Sequence, residues 1–253
     1  MTDQPLIPTP LKAALCATCL AFAAWSGAKS LAAISHFRAT GYLEAWQNQH
    51  KNTPHYQTPA AEFEQGLAAS QRALTLVPYN SNYHSTVADM LLWQLLTQPQ
   101  LSTADKQKLR TEAIQHYQEA IKRQPFWAFH YAHFAEVKAM LGETDNDMMT
   151  ALHNANRYGA YEPYVMHVII DWGLRLWPHM DTPTRLLIAQ NIDKISTLAT
   201  PPSEAAKERV FALGAVGLYQ RAADVCPLLK AQSEQIAMMC KFTTKPNSAK
   251  AHK

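Results

Sequence analysis

Glycine is scarce in this chain, with 8 in 253 residues, and long runs of β-branched residues are missing. The turn-rich all-β architectures need both, so they are excluded, and the abundance of Ala, Leu and Gln points to helices. A glycine-rich phosphate loop, a nucleophile elbow and an HExxH metal pair are also absent, which removes the recognised catalytic motifs. The chain is therefore expected to be no enzyme and to hold no cofactor and no metal. Charge is thin as well. Charged residues make up 17% and hydrophobic residues 47%, a balance that supports a packed core and excludes wholesale disorder. The formal net charge of +3 is an effect of the ends, because residues 30–240 carry 17 Lys and Arg against 19 Asp and Glu, a net of −2. A body of that sign has no electrostatic footprint for nucleic acid. Lys241–Lys253 contains four lysines and no acid, and is expected to be a solvated basic tail (241–253).

Against this low-charge background one stretch is conspicuous. Residues 13–28 contain no charged side chain, and the only charged residues in Leu11–Ile34 are Lys12 at its start and Lys29 near its end. As a helix those residues extend about 36 Å, enough to cross a bilayer, with Lys29 near one end where its stem can reach the headgroups. A cleaved signal peptide is the rival, since Ser26-Gly27-Ala28 offers small residues for cleavage. The weak positive charge ahead of the run and the prolines before it (Pro5, Pro8 and Pro10) favour an uncleaved anchor over residues 1–34. Cys16 and Cys19 lack the preceding small residue of a lipoprotein signal and are taken as apolar residues of the span. Flanking charge does not fix orientation, because Lys29 and Arg38 follow the span while Lys12 alone precedes it. The helix is expected to continue through residues 35–57 as an extension.

The body, residues 58–240, is punctuated by prolines at intervals that resemble helical repeats. In "EAIQHYQEAIKRQP" (Glu112–Pro125), Ala113 and Ala120 allow close approach of a neighbour, Tyr117 and Ile121 fill the gap, and Pro125 ends the helix. That is the pattern of the second helix of a tetratricopeptide repeat. It recurs as "GLAASQRALTLVP", closing at Pro78, and more loosely as "MMTALHNANRYG", closing at Gly159. First helices follow Pro78 and Pro125, the second with Tyr131, Phe134 and Ala135 in the large, large and small positions. Pro78 and Pro125 are 47 residues apart, and the surplus over a 34-residue repeat is expected in the loop "TQPQLSTADKQ", with Ser102 or Thr103 as cap. Beyond Tyr158 the signature fades but the helical period persists, as in Val165, Val168, Ile169, Trp172 and Leu176. The fold class is accordingly all-α: an N-terminal transmembrane helix followed by a tetratricopeptide-like α-helical solenoid of about eleven helices in all.

The candidate binding residues come from the first helices, which line the concave face of such solenoids. Asn82, Ser85, Asp89 and Trp93 share one face of the first, and Phe129, Ala132, Glu136 and Met140 share one face of the second. Asp89 and Glu136 hold equivalent positions, so two carboxylates are expected side by side, facing a cationic or amide-donating peptide segment rather than an anionic polysaccharide; two merely solvated acids are the alternative. His130, His133 and Glu136 share a helix but lack further ligands at metal spacing, and are taken as polar positions of a repeat helix. Trp127, Trp172 and Trp177 are taken as packing residues, and Asp145 and Asp147 as helix caps. Cys226 and Cys240 lie at the ends of two successive helices around Pro227; a disulfide closing the C-terminal cap and two separate buried thiols both fit that spacing.

Four phrases, "GAYEP" (Gly159–Pro163), "WGLRLWP" (Trp172–Pro178), Arg185 in "TPTRLLIA" and "VCPLL" (Val225–Leu229), give the chain its wider likeness. With the repeats ahead of them they resemble the VpsP-type polysaccharide biosynthesis proteins, which are membrane-anchored helical-repeat proteins of bacterial exopolysaccharide clusters. The resemblance implies a membrane-anchored role in making or exporting a surface polysaccharide, in a single pass through the bacterial inner membrane. The Cys226 and Cys240 pair, if bridged, is what favours a periplasmic repeat domain. The resemblance also implies partners among the protein components of a polysaccharide polymerase or export complex, and it supplies no catalytic residue. A general adaptor or chaperone-like protein of envelope assembly, unrelated to sugar, is the alternative.

Overall fold

The structure, a computed structural model, describes residues 9–53, 56–197, 202–230 and 234–243. The residues ahead of the first helix and residues 244–253 of the expected basic tail lie outside the described residues. Among the described residues the chain is all-helical, with no strand and eleven α-helices. These are α1 (Thr9–Asn52), α2 (Ala60–Leu76), α3 (Ser81–Thr97), α4 (Thr103–Arg123), α5 (Ala128–Met140), α6 (Asn146–Tyr158), α7 (Pro163–Arg175), α8 (Thr182–Thr197), α9 (Pro202–Leu218), α10 (Ala222–Val225) and α11 (Glu234–Thr243). Two compact units divide the chain, the first ending at Gln124 and the second beginning at Pro125.

In the first unit α1 packs on α2 and α3, and α3 packs on both α2 and α4. The N-terminal half of α1 is long and apolar enough to cross a membrane, and none of its apolar window is buried against the rest of the chain. Its large side chains stand in the open, Leu20 at 72% and Phe22 at 64% exposure. The C-terminal half is different. Ala32, Ser35, Ala39, Leu43 and Trp46 are buried at helical spacing, so a stripe of this half belongs to the core of the unit. Ala32 joins Ala73, Val77 and Tyr83 in one cluster, while Leu43 and Trp46 join Phe63, Ala69 and Met90 in another. α1 runs unbroken through Ile34, and packing on the body begins at Ala32, before the apolar run ends. Gly66 makes the α1–α2 contact possible, since a Cβ there would lie 2.8 Å from Cη2 of Trp46.

The surplus residues between Pro78 and Pro125 do not form a long loop. Only residues 98–102 separate α3 from α4, and the excess lengthens the helices to 17 and 21 residues, against 13 each for α5 and α6. The physical reason is the strength of the local start signal. Ser102 Oγ accepts from the backbone N–H of Asp105 at 3.1 Å and donates to Asp105 Oδ2 at 2.6 Å, so "TADKQ" opens a helix. Ala113, Tyr117 and Ala120 are fully buried on α4.

In the second unit α5 packs on α6 and α7, α7 on α8 and α9, and α8 on α6 and α9. Asp145 caps α6 by accepting from Met148 N–H at 3.1 Å, and Asp181 caps α8 by accepting from Thr184 N–H at 2.8 Å. At the end of α5, Gly142 takes a positive φ of 73°, and Glu143 N–H returns to Lys138 C=O at 2.8 Å. α7 is the central helix, with Val165, Met166, Val168, Ile169, Ile170, Trp172 and Leu174 all buried. The C-terminal end is closed by a disulfide between Cys226 and Cys240, whose Cα atoms are 5.7 Å apart. Closing a loop of that size adds about 3 kcal/mol in the chain-entropy model. Reduction is expected to lower the melting temperature of the second unit's C-terminal end by several degrees, and thiol labelling of the native protein should modify neither cysteine before reduction.

Candidate functional site

α7 carries Tyr164, His167, Asp171 and Arg175 in a polar line along an otherwise apolar helix. The spacing of three, four and four places them on one face, away from the core residues. α5 brings Glu136 to that face and α9 brings Glu208 and Phe211. Together Glu136, Tyr164, His167, Asp171, Trp172 and Phe211 line an open cavity of about 240 Å³. α5 packs on α6 and α7, and α7 packs on α8 and α9.

The carboxylates of this cavity are held in place by hydrogen bonds. Glu136 Oε2 accepts from Tyr164 O–H at 2.8 Å, and its Oε1 accepts from Trp172 Nε1–H at 3.3 Å. Tyr164 O–H also approaches His133 Nδ1 at 3.2 Å, and its ring lies parallel to Phe129 with centroids 5.8 Å apart. Asp171 Oδ1 accepts from Tyr219 O–H at 2.8 Å. Burial and the bond to Asp171 push the Tyr219 phenol up to about 12, so it stays a donor throughout the physiological range. His167 Nε2 meets Glu208 Oε2, and its ring packs on Phe211 with centroids 3.9 Å apart. Arg175 lies 4.9 Å over the Trp172 ring. A wall of anchored carboxylates and aromatic faces suits a cation or an amide donor, through charge-assisted hydrogen bonds and cation–π contact.

Of the residues expected on a binding face, only Glu136 lines this cavity. Met140 ends α5 exposed, Phe129 is half-buried against Tyr164, and Ala132 is buried. The first-unit candidates are largely engaged in packing. Trp93 donates to Thr58 Oγ1 at 2.7 Å and its ring stacks on Trp46 of α1 with centroids 6.1 Å apart. Ser85 is buried and Asn82 is exposed at the start of α3. Asp89 accepts a hydrogen bond from Tyr117 O–H of α4. Asp89 thus serves a buried tyrosine within its own unit. Both acids are hydrogen-bond acceptors for aromatic side chains, Asp89 for Tyr117 and Glu136 for Tyr164 and Trp172.

Trp172 does more than pack, since its N–H holds Glu136. His130 is buried, and burial together with the neighbouring His133 lowers it to about 4, which keeps it neutral at pH 7. The quoted C-terminal phrases have local structural roles as well. Arg185 Nε donates to Trp177 C=O at 3.3 Å and its Nη2 to Pro178 C=O at 3.4 Å, fastening α8 to the turn after α7. No protein-family model matches the chain, and no curated protein is recognisably similar to it in sequence.

Proposed function

We propose that this protein is a membrane-tethered scaffold whose helix pairs are tetratricopeptide-like repeats stacked as a solenoid, and that it works by capturing a protein partner rather than by catalysis. The observation that carries the proposal is the cavity on the first-helix face of the second unit. Its carboxylates, Glu136 and Asp171, are pre-oriented by Tyr164, Trp172 and Tyr219, as a site for a basic or amide-bearing side chain requires. Pre-orientation lowers the ordering cost of binding. The exposed apolar half of α1 supplies the tether, in a single pass through the bacterial inner membrane with the repeats on the periplasmic side. That side suits the Cys226–Cys240 disulfide, because such bonds persist in oxidising compartments. The resemblance to VpsP-type proteins supports placing the scaffold in exopolysaccharide biosynthesis or export, with partners among the polymerase or export components.

The test is a cross-linked pull-down from membranes, comparing the unaltered chain with Glu136→Gln plus Asp171→Asn. Both replacements keep a hydrogen-bond acceptor and remove the charge, so the melting temperature should be retained. Losing charge-assisted bonds at about 1.5 kcal/mol or more each should reduce recovery of the partner at least about ten-fold. Unchanged recovery sinks the cavity as the binding site. Recovery of envelope-assembly proteins without any polysaccharide component would instead favour the general adaptor.

A further inference from the structure

A second cavity, of about 300 Å³, lies in the first unit between α1 and α2 and has Leu31, Ile34, Arg38, Gln65, Ala68 and Arg72 in its lining. Its position along α1 is informative. From Leu11 to Ala28 the helix rises about 27 Å, close to the hydrocarbon thickness of a bilayer. Immediately beyond, Lys29 Nζ sits 3.9 Å over the Trp25 ring and 6.0 Å from the Tyr79 ring. Trp25 and Tyr79 are half exposed. Exposed tryptophan, tyrosine and lysine mark the level where a span meets the headgroups. The cavity begins two residues further on.

Its chemistry changes in the direction a lipid requires. On the side nearer the span, Ile34 is 65% exposed and Phe37, close by on α1, is 80% exposed. Two guanidinium groups, those of Arg38 and Arg72, line the same cavity. α1 and α2 run antiparallel, since Ala32 meets Ala73 while Arg38 and Tyr42 meet Gln65. Side chains lean toward the N-terminus of their own helix, so Arg38 leans toward Ile34 and Arg72 leans toward Ala68. Arg38 uses only Nη2, which donates to Gln65 Oε1 at 3.1 Å and lies 3.4 Å from Tyr42 Oη. Arg72 makes no hydrogen bond or ion pair among the described residues and is exposed. The residues that line the cavity include Arg38 and Arg72 and no Asp or Glu. Two positive charges in a lining without an acid, beside exposed apolar surface at headgroup level, are complementary to a phosphate attached to an acyl chain.

We propose that the α1–α2 cavity binds one anionic glycerophospholipid, its phosphate between Arg38 and Arg72 and its glycerol and upper acyl segment along Leu31 and Ile34. The bound lipid fixes the height and tilt of the first unit above the membrane, which an apolar helix alone leaves free. The site rests on the membrane-anchor part of the proposed function and is independent of the partner cavity in the second unit.

The experiment reconstitutes the full chain into nanodiscs of phosphatidylcholine with a minor share of phosphatidylglycerol, then counts the lipids retained on the released protein by native mass spectrometry. One phosphatidylglycerol is expected on the unaltered chain, at a level well above its share of the disc. Arg38→Gln with Arg72→Gln should weaken that preference about thirty-fold, and Arg72→Gln alone, at a side chain with no described partner, about five-fold. Millimolar inorganic phosphate should leave the lipid in place. Retention in the bulk ratio, or unchanged retention by the Arg72→Gln chain, overturns the site while leaving the anchor standing. Displacement by inorganic phosphate shows a phosphate-ion site and overturns the lipid. Recovery of the unaltered chain outside the discs overturns the anchor and the lipid site together.

Discussion

A chain lacking all of α1 is expected to lose the fold of its first unit, whereas a chain beginning at Ser30 is expected to keep that fold and to stay in solution without detergent. The two truncations separate the two halves of one uninterrupted helix. Residues 9–29 include no fully buried side chain among those described, so their removal takes away exposed apolar surface and little packing. Residues 30–52 include Ala32, Ala39, Leu43 and Trp46, at 0, 0, 7 and 1% exposure. Trp46 fills the space left by Gly66 and lies against Phe63 and Trp93. Losing a buried tryptophan and a buried leucine together costs about 5–10 kcal/mol, the size of the whole stability of a typical domain. Circular dichroism through a thermal melt checks both halves of the expectation. A loss of helical signal no larger than that of α1 itself, on its complete removal, would show that its buried stripe contributes little. Failure of the chain beginning at Ser30 to fold would place essential contacts within residues 9–29.

The second large effect is expected at Lys138, whose side chain is 6% exposed at the end of α5. Its ammonium is 2.9 Å from Glu143 and 2.7 Å from Asp145, tying the helix end to the following turn. Burial works against the charged form, but the bonds from Asp145 and Glu143 outweigh it and raise Lys138 above the ordinary lysine value. At Asp145 burial again opposes the charge, and the bonds from Lys138 and Met148 N–H win and lower it. The consequences of mutation are unequal. Lys138→Met leaves two carboxylates that water still reaches, at a cost of about 1–2 kcal/mol. Glu143→Gln with Asp145→Asn leaves a buried ammonium without a counter-charge, at a cost of about 3–5 kcal/mol. Denaturant unfolding of both variants should preserve that order; the reverse order would mean that Lys138 is not the member of the network that depends on its partners. The pH dependence has two ends. The raised lysine contributes stability that is fully present below about pH 10.4 and lost as pH rises through its folded value. The lowered aspartate contributes stability present above about pH 4 and lost as pH falls through its folded value. Both losses should be missing from the Glu143→Gln, Asp145→Asn chain.

Much of the lining of the second-unit cavity was legible along α7 but masked by a stronger signal. The apolar period through Val165, Val168, Ile169 and Trp172 explains the core and draws attention to one side of the helix. Tyr164, His167, Asp171 and Arg175 repeat on the other side with the same period, and that polar line is what a search for sites needs. Glu136 was identifiable because it falls on the exposed side of a first helix. Its partners were not, since Tyr164 and Trp172 lie 28 and 36 residues later and nothing local links them. The partner of Asp89 was hidden for the same reason, since Tyr117 lies on the next helix, 28 residues later.

The sequence by itself determined the helical class, the positions of most helix starts and stops, and the apolar segment at the front. Those features depend on interactions spanning a few residues: Pro78 and Pro125 beyond helix ends, Asn80, Ser102, Asp145 and Asp181 at helix starts, and a run without charge. The tertiary structure alone decided which half of α1 belongs to the body, where the surplus between Pro78 and Pro125 went, that Cys226 and Cys240 are joined, and which acids face a cavity. Each of these depends on contacts between residues far apart in sequence. The same alanine or aspartate is core, cap or site according to the side chain that another helix places against it.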